Sequence, residues 1–248
     1  MGLSGWYLES DRLDGPGMRS GALRAFDPGI RAVQTYWKPF VAIQVATAFF
    51  VVAYYAFPGL QVWCEGIEAA KARGGFAFSF VTGAIAGGAM PEIAKALTGA
   101  RQRAAEMLGD ACYNGLVFGI VGMAVDALYR IQALVFGTGH SLGVVVCKVA
   151  VDQSAFTPLV SVPVTIALVR WRMDRRETRR LWENWTLSGY RAQVAPKMPT
   201  AWAFWIPVVT CVYFMPLLMQ FPLSILANAA WSLLFVFAAR LGPEAAEA

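Results

Sequence analysis

Three apolar stretches of this chain each contain an acidic and a basic residue at helical spacing. The pairs are Glu92 with Lys95, Asp126 with Arg130, and Lys148 with Asp152. Residues three or four apart lie on one face of a helix, so each pair is expected to meet there. Insertion scales put the cost of one such charge at a membrane centre at about 2.5 to 3.5 kcal/mol, so these residues need partners inside the protein.

Two interpretations of these charges are open from the sequence. In the first, they line a polar path that water or a small solute follows through a helix bundle. That path is centred on Lys148, Asp152 and Gln153, with Glu92, Asp126 and Arg130 nearby. In the second, the paired charges bridge neighbouring helices and fix their register, as buried ion pairs do in some proteins.

The chain offers little for catalysis or for binding a metal. Its single histidine, His140, excludes two-histidine metal sites. The four cysteines are scattered singly, which indicates neither a zinc site nor a disulfide framework. Ser141 beside His140 is the one candidate nucleophile with a base. We therefore expect a protein that is not an enzyme and has no cofactor.

Composition places the chain among membrane proteins. Hydrophobic residues make up 57% of its 248 residues and charged residues only 15%, against about 25% charged in soluble domains. Its net charge of +5 comes from basic residues beside apolar segments, which favours the lipid bilayer and its anionic lipids as partners and disfavours nucleic acid.

The apolar stretches predict an all-α, polytopic transmembrane helix bundle. They cover residues 40–57, 75–99, 111–136, 141–169 and 201–239. The last is too long for one crossing and contains Pro207, Pro216 and Pro222, so we divide it near Gln220. The prediction is about six helices, or five if the last region does not cross twice, within residues 40–240. A polar arm, 1–39, precedes the bundle and a short tail, 241–248, follows it.

Small residues predict where two of these helices approach each other. Gly83 and Gly87 in the second stretch, and Gly115 and Gly119 in the third, have the four-residue spacing that permits close backbone contact in lipid. We expect these glycines to be helix-packing positions.

Lysine and arginine predict the orientation. They concentrate in the N-terminal arm, at 101–103 and at 170–197, whereas the opposite side has Lys71 and Arg73. This asymmetry predicts both termini on the cytosolic or matrix side. Residues 171–190 also place Leu181, Trp182 and Trp185 opposite four arginines, Arg175, Arg176, Arg179 and Arg180. That pattern predicts an interfacial amphipathic helix, with a solvated loop over packed tryptophans as the alternative.

An ordered set of residues resembles the Mpv-seventeen family, which includes the peroxisomal membrane protein of twenty-two kilodaltons. The first part is Lys148, Asp152, Gln153 and Pro158 in the segment Lys-Val-Ala-Val-Asp-Gln-Ser-Ala-Phe-Thr-Pro. The second part is Trp205-Ile206-Pro207, an aromatic stretch ending at Pro216, and Trp231 near the last helix. The chain departs from the family at Met90-Pro91-Glu92, where a Gly-Asp is usual, and at Tyr213-Phe214, where an Asn-Phe is usual.

The resemblance implies a non-enzymatic protein of an organelle membrane, with the mitochondrial inner membrane first and the peroxisomal membrane second. It implies weakly selective channel or solute-permeability activity. The alternative is a structural or accessory subunit of a larger membrane complex, or a homo-oligomer, in which the glycine faces and tryptophans are contact surfaces.

Overall fold

The computed structural model describes residues 26–97, 103–173, 182 and 185–241. Within this part the fold is 94% helical and contains no strand, which confirms the all-α bundle. Six long helices follow one another. They are α1 (Asp27–Ala56), α2 (Pro58–Leu97), α3 (Ala104–Phe136), α4 (Leu142–Met173), α5 (Met198–Tyr213) and α6 (Leu217–Leu241).

Five of the six helices are long and apolar enough to cross a membrane, and these are α1, α2, α3, α4 and α6. The sixth, α5, has 16 residues, which is shorter than the roughly 20 that a full crossing needs. Short helical turns at Leu187–Gly189, Tyr190–Val194 and Ala195–Lys197 connect α4 to α5. The bundle is therefore that of a multi-pass membrane protein.

Two helices contain wide, π-helical turns. In α2 the wide turn is Ile85–Ala89, and in α4 it covers the ten residues Asp152–Ser161 and includes Pro158. Such turns are frequent at functional sites, because they change the direction of side chains and free backbone groups.

The break in the final apolar region lies earlier than the sequence predicts. Helix α5 ends at Tyr213 and α6 begins at Leu217, so the division near Gln220 is wrong. Pro216 has no N–H for the Val212 carbonyl, which accepts from the Met215 amide at 2.9 Å instead. Pro222 lies inside α6 without ending it.

The first connection also differs from the prediction. Helix α1 begins at Asp27, and only Phe57 separates its end from α2. Residues 58–74, expected as a polar connection, are helical. The chain bends at Gly75, whose φ of 51° and ψ of −126° are readily adopted only by glycine.

Helices α2 and α3 run antiparallel and form the closest pair in the bundle. Helix α5 buries one face completely, since Phe204, Val208, Val212 and Tyr213 have 0% exposure. It packs against α1, α4 and α6. Rings of Phe40, Phe204 and Trp231 meet in the core between α1, α5 and α6, with centroids 4.3 to 5.5 Å apart.

Candidate functional site

A cavity of about 130 Å³ lies between α3, α4, α5 and α6. Its polar lining comes mainly from the wide turn of α4 and from α6. These residues are Asp152, Gln153, Thr157, Ser161, Thr165, Ser224 and Asn228. A water in the liquid occupies about 30 Å³, so the cavity has room for several waters or one small solute.

Three side chains donate hydrogen bonds to the Asp152 carboxylate. The Tyr213 hydroxyl donates to Oδ2 at 2.8 Å, while the Gln153 amide and the Thr157 hydroxyl donate to Oδ1 at 3.1 and 3.2 Å. An ionised carboxylate accepts hydrogen bonds and donates none, so this set of donors suits it. No ion pair joins Asp152 to any other residue that the structure describes.

The wide turn of α4 positions this carboxylate and exposes carbonyls that two indoles use. The Trp202 indole donates to the Gln153 carbonyl at 3.0 Å, and the Trp185 indole donates to the Leu159 carbonyl at 3.1 Å. A regular α-helix would bond these carbonyls internally. These two bonds hold the wide turn to α5 and to the connection between α4 and α5.

Lys148 and Asp152 do not form the ion pair that their spacing predicts. Lys148 is 1% exposed, and its ammonium lies beside the Tyr213 ring, 6.0 Å from the centroid. The backbone between them is regular α-helix, since the Asp152 amide donates to the Lys148 carbonyl; the Asp152 carboxylate is instead occupied by the three side-chain donors. The hydroxyl of Tyr213 therefore binds the acid while its ring faces the base.

Asp126 belongs to a second buried cluster, between α2 and α3. Its Oδ2 lies 2.6 Å from the Lys71 ammonium and 3.3 Å from Arg130 Nε, and it accepts from the Ser79 hydroxyl at 2.9 Å. The Lys71 ammonium also donates to Ser79 at 2.7 Å and to the Gly75 carbonyl at 3.1 Å. The predicted pair with Arg130 exists, but the buried partner is Lys71.

Sequence reasoning missed Lys71 as a buried partner, because it counted the residue among the loop charges of the less basic side. The residue is 1% exposed. A signal for it was present, because Lys71, Gly75, Ser79, Gly83 and Gly87 follow one another at four-residue intervals. That spacing places Lys71 on the same small-residue stripe that predicts contact with α3.

Glu92 and Lys95 form the expected ion pair within α2, and both are buried. They lie in the last segment of α2, Met90–Leu97, and neither is among the described residues that line the cavity. Asp126, Arg130 and Lys148 are also outside that lining. The single polar path expected from the sequence is thus divided into separate clusters, of which only Asp152 and Gln153 reach the cavity.

The four predicted packing glycines all lie at the α2–α3 contact, but they are not equivalent. A Cβ on Gly83 would approach the Phe118 carbonyl oxygen to 2.6 Å, and one on Gly87 or Gly119 would meet a phenylalanine side chain below 3 Å. On Gly115 it would be 3.5 Å from its nearest neighbour, an ordinary contact. Within the α2–α3 contact the tightest backbone approach is at Gly88, which the sequence did not single out.

The residues of the family resemblance occupy distinct places. Pro158 is buried in the wide turn of α4, and Trp205 and Trp231 line the cavity. Pro207 is exposed within α5, and Pro216 lies between α5 and α6.

In comparisons with known proteins, no protein-family model, no curated protein and no solved structure matched this chain.

Part of the predicted amphipathic helix lies outside the described residues, including Leu181 and the arginines at 175, 176, 179 and 180. The N-terminal arm before residue 26 lies outside them too. Trp182 and Trp185 are exposed, and their ring centroids are 5.8 Å apart.

Among the described residues, no group of three or more His, Cys, Asp or Glu side chains could hold a metal ion.

Proposed function

We propose that this multi-pass membrane protein allows small polar solutes to cross the bilayer, with the Asp152 cavity as the solute-binding site. The observation that carries the proposal is a cavity with a buried, hydrogen-bonded carboxylate inside a membrane-spanning bundle. Ionisable residues at membrane depth are rare, and in many membrane proteins they mark the pathways of solutes or ions.

The depth of Asp152 supports this role. It lies ten positions after Leu142, the first residue of α4 (152 − 142), which is about 15 Å along a helix rising 1.5 Å per residue. A hydrocarbon core is about 30 Å thick, so Asp152 is near its middle. Transporter sites commonly lie at that depth, beside helices that depart from regular geometry.

The orientation we propose follows from the connections. Phe57, residues 137–141 and residues 214–216 are the short connections at one end of the bundle, and they contain no lysine or arginine. The other end has the basic segments 98–103 and 174–197. Both termini are then on the cytosolic or matrix side. The family resemblance points to an organelle membrane, with the mitochondrial inner membrane first and the peroxisomal membrane second.

Reconstitution into liposomes tests the proposal. Stopped-flow light scattering would follow the entry of urea, glycerol and choline into vesicles that contain the wild-type chain, the Asp152→Asn variant or no protein. We expect faster entry of at least one solute with the wild type, and a loss of most of that increase with Asp152→Asn. Glu106→Gln is the matched control, because Glu106 is an exposed carboxylate in the first turn of α3. Equal permeability in all vesicles would refute the function.

The second candidate, a subunit of a larger membrane complex, rests on a different surface. A mainly apolar groove runs along α2 and α3, and it is lined by Phe80, Val81, Ala84, Ala111, Cys112 and Leu116, among others. Small residues in such a groove would let a partner helix approach closely. Gel filtration in a mild detergent distinguishes the candidates, because a complex subunit would elute with stoichiometric partners and a lone bundle would not.

A further inference from the structure

The chemistry of the cavity indicates which class of solute it binds. We propose that the Asp152 cavity binds small organic ammonium ions, such as choline. This inference deepens the proposed function and rests on it for the claim that the ligand crosses the membrane. Binding itself can be measured without transport.

Charge is the first argument. Of the described residues that line the cavity, Asp152 alone carries a formal charge. It is 5% exposed, and the structure gives it hydrogen-bond donors but no cation within its described part. Buried charges in a membrane are normally paired. A cationic ligand in the cavity would supply the missing partner.

An unsatisfied acceptor is the second argument. Gln153 is 6% exposed, and its Oε1 has no hydrogen-bond partner among the described residues. Its amide nitrogen is already committed to Asp152. Leaving a buried acceptor unpaired costs about 1 to 3 kcal/mol. A ligand that carries an N–H or O–H donor next to its cationic centre would satisfy both Gln153 and Asp152.

The walls of the cavity are the third argument. Six aromatic side chains line it: Phe118, Tyr129, Phe156, Trp205, Phe221 and Trp231. The Trp205 and Trp231 rings are 6.2 Å apart and inclined at 49°, so they form two sides of a corner. Aromatic faces attract cations, and cages of such rings are the common way to bind quaternary ammonium groups. An anion would find no compensating positive charge in this lining.

Two lysines near the cavity affect how tightly a cation binds in it. Lys71 lies 5.1 Å from the Phe221 ring centroid, but Asp126 pairs with it. Lys148 lies beside the Tyr213 ring and opposes a cation near Asp152. The expected binding is therefore weak and readily reversed, as conduction requires.

Calorimetric titration of the full chain in mild detergent tests the inference. The probes are choline and 3,3-dimethylbutan-1-ol, which has the same shape with a neutral carbon in place of nitrogen. We expect saturable choline binding and at least tenfold weaker binding of the neutral alcohol. Asp152→Asn should weaken choline binding at least tenfold and leave the alcohol unchanged, whereas Glu106→Gln should behave as the wild type.

The comparison of the two probes uses the wild-type chain alone. It therefore tests the inference even if the Asp152→Asn variant misfolds. Equal affinity for both probes, or no saturable choline binding, overturns it. Permeation of urea or glycerol without choline binding would reject the ammonium ligand and keep the proposed function. Choline binding without any solute flux would support the ammonium ligand and refute the proposed function.

Discussion

The Lys71 ammonium and the Asp126 carboxylate are 55 residues apart in the chain and 2.6 Å apart in the fold, with both side chains almost completely buried. The contact joins α2 to α3 four residues before the bend at Gly75, whose carbonyl also accepts from Lys71. One lysine thus binds a partner helix and stabilises the bend in its own helix.

Replacing Lys71 by methionine should strongly destabilise the bundle. The change leaves Asp126 buried with only the more distant, half-exposed Arg130 as a cation, and breaking a buried pair costs about 3 to 5 kcal/mol. Thermal unfolding in detergent would measure the loss. The double variant Lys71→Met, Asp126→Leu should regain part of the stability. Arg73→Met is the control, because Arg73 is exposed and, among the described residues, bonds to the Ala69 carbonyl alone; an equal effect there would contradict the assignment.

Two glycines of the α2–α3 contact should respond differently to alanine. A Cβ on Gly88 would approach the Gly115 backbone to 2.5 Å, whereas one on Gly115 would make only ordinary contact. We expect Gly88→Ala to cost about 1 to 3 kcal/mol, as overpacking does, and Gly115→Ala to cost much less. Thermal unfolding of both variants provides the comparison. Similar losses would show that the contact is not as close as described.

The Tyr213 hydroxyl should matter more than other tyrosine hydroxyls. Tyr213→Phe removes a donor to Asp152 in a fully buried position, and we expect a loss of about 1 to 3 kcal/mol. Tyr55→Phe is the matched control, because its hydroxyl donates to the Phe214 carbonyl at 2.6 Å in an exposed position. Stability should change little there. Equal losses of stability in the two variants would mean that the buried bond from Tyr213 to Asp152 contributes no more than the exposed bond of Tyr55.

Removing the Lys148 charge should tighten choline binding. Lys148→Met takes a positive charge away from the neighbourhood of Asp152 and keeps the length and apolar character of the side chain. We expect a severalfold lower dissociation constant by calorimetry, opposite in sign to Asp152→Asn. Arg103→Met, an exposed cation before α3, should change nothing. Weaker choline binding in Lys148→Met would place the ligand elsewhere.

The orientation can be tested by labelling single cysteines. In a background with Cys64, Cys112, Cys147 and Cys211 replaced by alanine, Thr138→Cys would mark the turn between α3 and α4. Ser188→Cys would mark the connection between α4 and α5. Both positions are exposed. A membrane-impermeant maleimide should reach them from opposite sides, and labelling of both from one side would refute the crossing of α4 on which the proposed orientation depends.

Hydropathy was sufficient for the number and type of helices, because crossing lipid requires long apolar runs whatever their neighbours. It was not sufficient for helix ends at prolines. The break fell at Pro216, which has no N–H for the Val212 carbonyl, whereas Pro222 lies inside α6 without ending it. Which proline acts as the stop depended on where α6 packed.

The charge partners were only half predictable. Spacing along one helix correctly paired Glu92 with Lys95, because that contact is local. It failed for Lys148 and Asp152, because Tyr213 from another helix contacts both side chains, and it missed Lys71 because the partner comes from another helix. Periodicity within a segment carries no information about which segments meet. The cavity, which needs four helices, was beyond it as well.

The bend at Gly75 also bears on how the protein fits its lipid. A straight helix of 40 residues, the length of α2, would be about 60 Å long at 1.5 Å per residue, twice the hydrocarbon thickness. The bend divides this length into two shorter segments, and Lys71 holds it in place through its bonds to the Gly75 carbonyl and to Asp126 of α3. We expect the segment after the bend to cross the hydrocarbon and the segment before it to run along the membrane interface, so that the surplus length of α2 creates no hydrophobic mismatch.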